Sequence, residues 1–149
     1  MLKNPHAGWM TIVIGDNIIG TVSYLSDVPV IVLESLTRRV RDHMPVNMSF
    51  DSDGSTFGLV EFDGELLAID SGADTPVVRR IMWFGDHEAA ELLREAVADV
   101  RRQMRAMIDW DAVDHNDDDA RDYRRRLLAG LCDDGDKARA ASEGANDVI

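Results

Sequence analysis

Outside the segment 26–45, the apolar residues between Trp9 and Phe84 of this 149-residue chain come in short, largely β-branched or alternating runs, whereas within that segment and after Asp86 they recur every three or four positions. This change of period from about 2 to about 3.6 restricts the fold more than any other feature, because the first spacing builds strands and the second helices. Trp9–Ile14 and Ile18–Tyr24 are rich in β-branched and aromatic residues and are joined through Gly15-Asp16-Asn17, the composition of a hairpin turn. Val46, Met48 and Phe50 alternate with polar neighbours, and the turn formers Asp51 to Ser55 separate them from the run Thr56–Phe62. Asp63-Gly64 is a two-residue hairpin signal leading into Glu65–Ile69. A polar loop from Asp70 to Thr75 precedes a sixth strand, Val77–Phe84, with Pro76 at its start, where a missing N–H donor does least harm.

Two amphipathic helices complete the body. Ser26 or Asp27 can cap the first, Pro29 suits a first turn, and Val32, Leu33, Leu36, Val40 and Met44 share one face until Pro45 stops it. The second runs unbroken from Asp86, with Ala89, Leu92, Leu93, Ala96, Val97, Val100, Met104, Met107 and Ile108 on one face and Arg94, Glu95, Asp99, Arg101, Arg102 and Arg105 on the other. The order β-β-α-β-β-β-β-α predicts an α+β fold, a mainly antiparallel sheet with two helices packed on one face. Residues 8–112 make this domain, and residues 113–149 form an acidic linker, a short helix over Ala120–Leu131 and a flexible, partly disordered tail.

With Cys132 as the only cysteine, no intramolecular disulfide exists, and the length suffices for a core without one. The start of the chain shows no export signal, and no run approaches the roughly 20 apolar residues of a spanning helix, so a cytoplasmic protein without membrane partners is expected. Asp+Glu 28 against Lys+Arg 16 gives a net charge of -12. Such a field repels phosphate backbones, which argues against direct nucleic-acid binding, and attracts basic proteins. The expectation is a non-enzymatic acidic protein-binding module: an inhibitor, an immunity-like or a regulatory protein. A phage- or mobile-element-encoded mimic of nucleic acid is one version. Trp110, Asp117, Asp118, Asp119, Tyr123, Leu127 and Leu128 are the expected partner-binding residues, a charged arm with a small apolar stripe offered to a basic partner or, in a homodimer, to a second copy. A tethering subunit of a larger assembly would use the same arm.

The alternative is a reaction centre. Leu67-Ala-Ile-Asp70-Ser71-Gly72-Ala73-Asp74 resembles the active-site signature of retroviral-type aspartic proteases. That resemblance implies a small hydrolase in which Asp70, on a loop shaped by Ser71 and Gly72, pairs with a second copy's aspartate to activate water. Asp74 or Asp86 would assist. Asp, Ser and Gly are equally the residues of a tight turn. Asp86-His87-Glu88 could act as an acid–base cluster or simply complement a helix dipole, as His43 would at the end of the first helix. Asp51-Ser52-Asp53-Gly54 resembles the opening of a calcium loop but lacks its remaining ligands. His6, His43, His87 and His115 have no zinc-site spacing, and no glycine-rich phosphate loop is present, so no metal or cofactor is expected. Cys132 has no nucleophilic role in this reading.

Overall fold

A computed structural model describes residues 1–23, 25–72, 75–109 and 117–146. The elements are β1 (Leu2–His6), β2 (Trp9–Ile14), β3 (Asn17–Ser23), α1 (Val28–Asp42), β4 (Asn47–Asp51), β5 (Thr56–Phe62), β6 (Glu65–Asp70), β7 (Val77–Trp83), α2 (Asp86–Arg102), α3 (Met104–Ile108) and α4 (Asp118–Asn146). The fold is α+β, with two antiparallel sheets ordered β1-β2-β3 and β4-β5-β6-β7. Alternation sets which residues enter the core: Met10, Ile12 and Ile14 from β2, Met48 and Phe50 from β4, Phe57 and Leu59 from β5, and Leu66 and Ala68 from β6. They join Val32, Leu33 and Leu36 of α1 and Leu93, Ala96, Val97 and Val100 of α2 in one cluster.

β1 is a strand the pattern did not announce, because Leu2-Lys-Asn-Pro-His6 has a single apolar residue and a proline. A buried carboxylate holds it. Asp99 was expected on the polar side of the second helix; it is only 3% exposed. Its Oδ2 accepts hydrogen bonds from the Met1 ammonium at 2.5 Å and from the Leu2 amide at 2.8 Å, and Lys3 Nζ reaches Oδ1 at 3.1 Å. Arg102 closes the set from the next turn of α2. A charge so far from water is tolerated only when it is paired and hydrogen-bonded. The expected single helix also breaks here: the Gln103 amide bonds the Asp99 carbonyl at 3.0 Å, its side chain reaches the Leu2 carbonyl at 2.9 Å, and the chain resumes as α3.

The larger correction concerns the C-terminal segment. The helix expected over Ala120–Leu131 continues through the supposed flexible stretch to Asn146 and packs across both α1 and α2. Leu128, Cys132, Gly135 and Ala138 recur at helical spacing and are all buried, so residues beyond 112 contribute to the same core as the body. Small residues let the backbones approach. A Cβ on Gly135 would lie 3.1 Å from Val97, 3.2 Å from Leu93 and 3.5 Å from Thr37, at the crossing with α1 and α2. Arg124 ties the near end of α4 to Asp27 with bonds of 2.6 and 3.0 Å, and Arg101 reaches Asp133 and Asp136 farther along. Asp27, at the N-cap of α1, thus turns its side chain to α4 and makes no cap bond.

Two glycines of α4 should respond oppositely. Gly130 faces open space, so Gly130→Ala should stabilise by about 1 kcal/mol through helix propensity. Gly135→Leu should destabilise by about 1–3 kcal/mol or more through overpacking. Urea unfolding of both variants checks this. A second expectation concerns Asp99. Burial opposes its ionisation, but the hydrogen bonds from the Met1 ammonium and Lys3 outweigh that cost and hold its carboxyl below the usual range. Its folded pKa therefore lies below the unfolded value of about 4. The resulting stability is present above the unfolded pKa and is lost as pH falls through the folded pKa. Asp99→Asn should cost about 3 kcal/mol near neutrality and flatten the acid limb of stability against pH, measured by denaturant titration at each pH.

Candidate functional site

The described helices lie on one side of the β4–β7 sheet, and the residues on its other side follow from the strand register. In β5 the residues opposite to buried Phe57 and Leu59 are Gly58, Val60 and Phe62; in β6, opposite to Leu66 and Ala68, they are Glu65, Leu67 and Ile69. Pairing of Leu67 with Arg80, Ile69 with Val78 and Glu65 with Trp83 brings those β7 side chains to the same face. Phe62 is 68% exposed, Trp83 65% and Val78 58%, while Val60, Leu67 and Ile69 are half-buried between them. Arg80 lies 5.0 Å from the Trp83 ring and bonds Glu65 at 3.0 Å, so the charges on this face neutralise each other and orient the indole. Large exposed apolar side chains gathered on one face make this the candidate site of the chain.

Both ends of the face are acidic. Asp63 sits in the β5–β6 turn at φ 50, and Asp53, in the β4–β5 turn, marks the opposite end. Both are exposed and have no ion-pair partner among the described residues. The helical side differs, because its acids are matched by arginines: Asp42 by Arg41, Glu91 by Arg94, Asp122 by Arg125, Asp133 and Asp136 by Arg101.

The two edges of this region are blunted. β7 carries Arg79 and Arg80 in succession and a bulge where its pairing shifts between Leu66 and Leu67, which discourages edge pairing. Ser52 Oγ bonds the Thr21 carbonyl at 2.7 Å, and Arg79 reaches the Ile18 carbonyl at 3.4 Å, occupying the free edge of β3. Between β3 and β6–β7 lies a cavity of about 250 Å³ with Phe57 and Ala68 among its lining residues.

Asp70 lines that cavity as the only acid among the described residues, and its Oδ1 accepts the Gly72 amide at 2.9 Å, the bond of an Asx turn. Ser71 Oγ is engaged by the Thr56 carbonyl, to which it donates at 2.7 Å. Asp74 and Trp110 lie outside the described residues. Asp86 opens α2, where Gly85 and not Asp86 is the N-cap and the Gly85 amide bonds Glu88 at 3.0 Å. A hydrogen bond of 2.7 Å from buried Arg39 holds the Asp86 carboxyl below the usual range, and Arg39 also grips Glu61 at 2.8 Å. His43, the left-handed C-cap of α1, stands 3.6 Å from Asp86. These charges join α1, β5 and α2. The Asp51–Ser55 segment is a hairpin turn, and among the described residues no group of acids, histidines or cysteine could hold a metal.

The expected docking arm is divided. Asp117 caps α4, accepting the Asp119 and Ala120 amides at 3.0 and 3.1 Å, while Asp118, Asp119 and Tyr123 remain exposed. Leu127 is half-buried. Leu128 must be withdrawn as a partner residue, because helical spacing turns it fully into the core. The residues the sequence reading missed are Phe62, Val78 and Trp83. Their alternation was visible, but which face the helices would cover was not.

No helix of the described residues is long and apolar enough to cross a membrane. Burial raises the Cys132 thiol to about 11, so the folded protein should resist a thiol reagent at pH 8 and react with one equivalent once unfolded, as read by absorbance. No protein-family model, curated protein or solved structure matches this chain.

Proposed function

We propose that this chain is a non-enzymatic protein-binding module whose recognition surface is the open face of the β4–β7 sheet and whose partner is a basic protein. One observation carries the reading: Phe62, Val78 and Trp83 are exposed together on a face that no other described element of the chain covers. Burying an aromatic or large aliphatic side chain contributes about 1.5–3 kcal/mol, and binding energy concentrates in a few such anchors, tryptophan above all. Net charge of -12 supports a basic partner, and Asp53 and Asp63, two acids without an ion-pair partner among the described residues, sit at the two ends of this face. A nucleic-acid mimic would need extended rows of unpaired carboxylates, whereas many helix-borne acids already face arginines. The general binding reading therefore has the better support.

The test is affinity capture from the source cells, with the wild-type chain and the Phe62→Ala/Trp83→Ala variant side by side at about 0.1 and 0.5 M salt, where screening lengths differ about twofold. A basic protein should be retained by the wild type at low salt, weakened at high salt and lost with the variant. Equal retention by both chains would refute the assignment of the surface.

A further inference from the structure

Resting on that reading, we infer that the element docking on the open face is an amphipathic helix of the partner, laid along the strands, with an apolar stripe and basic residues at both ends. Three observations separate this occupant from the others. A strand added to the β7 edge would meet consecutive arginines and a bulge, and it would leave Phe62, two strands away on β5, uncovered. A second copy of this chain, face to face, would bring a second charge of -12 and a second set of end carboxylates against the first. A helix meets neither obstacle. Four strands about 4.8 Å apart span about 14 Å, the width that one helix of about 10–12 Å with its side chains covers.

The acids set direction and length. Thr56 to Phe62 spans six residue steps, about 20 Å at about 3.3 Å each, with Asp63 beyond one end and Asp53 beyond the other. A helix rising about 1.5 Å per residue crosses that distance in about 13 residues. Lysines or arginines about 13 positions apart would therefore reach both acidic ends, while apolar residues at i, i+3, i+4 and i+7 lie over Val60, Phe62, Leu67 and Trp83.

Two synthetic 18-residue peptides of identical composition, built from leucine, alanine, glutamine and lysine, test the inference. One places leucines at helical spacing with lysines at both ends, and the other alternates leucine with polar residues between the same end lysines. Calorimetric titration should show the first peptide binding and the second not. Circular dichroism should show a gain of helix in the mixture. Trp83→Ala or Phe62→Ala should weaken binding about tenfold or more, and Asp53→Asn/Asp63→Asn should reduce its salt dependence. All four positions are exposed, and unfolding curves verify that the variants fold. Binding of the alternating peptide in preference, still lost with Trp83→Ala, would overturn the helix and leave the binding face standing. Binding by neither peptide would also overturn the helix. Binding indifferent to Trp83→Ala and Phe62→Ala would overturn the face itself.

Discussion

Close packing of α4 against α1 and α2 decides what this protein leaves uncovered. Cys132, Gly135 and Ala138 bring the backbone of α4 near Leu93, Val97 and Thr37, so the last long helix packs on the other helices. Were those positions occupied by large side chains, the crossing would not close. As built, the β4–β7 sheet buries one side and presents the other, and Phe62, Val78 and Trp83 stand exposed for that reason.

Charge follows the same division. Arginines on α1, α2 and α4 meet carboxylates across and along the helices, with Arg124 on Asp27 and Arg101 on Asp133 and Asp136 joining α4 to its neighbours. Surface pairs of this kind contribute little stability singly, but they neutralise acids that would otherwise repel one another. Among the described residues, the carboxylates without ion pairs lie at strand ends and in the first turns of α2 and α4. The chain-wide charge of -12 is thus a poor guide to local potential. Around the open face the pairing of Arg80 with Glu65 leaves a neutral, apolar middle between acidic ends.

Asp99 shows how a single buried group can organise distant segments. Its carboxylate collects Met1, Leu2, Lys3 and Arg102, adds β1 to the first sheet and sits where α2 gives way to α3. Arg39 does the same between α1, β5 and α2 through Glu61 and Asp86. In both cases the distant partners could not be read from the residue's own helix, because the amphipathic pattern assigns a charged residue to solvent and says nothing about ions lying some twenty to a hundred positions away.

The local order of the chain was legible in its residues. Alternation in Thr56–Phe62, the Asp63-Gly64 turn and the helical recurrence through Leu93 and Val97 depend on neighbours in sequence, and they produced the α+β class and most strand boundaries. Small residues between Cys132 and Ala138 were ambiguous by the same logic, since a stripe of them suits either a close helix crossing or an unstructured tail. Leu128 could be placed on a helix but not on its buried side. Tertiary structure alone decided the division into two sheets, the burial of Asp99, the docking of α4 and the side of the β4–β7 sheet that stays open. Those outcomes depend on contacts between residues far apart in the chain, whose energies no local spacing encodes.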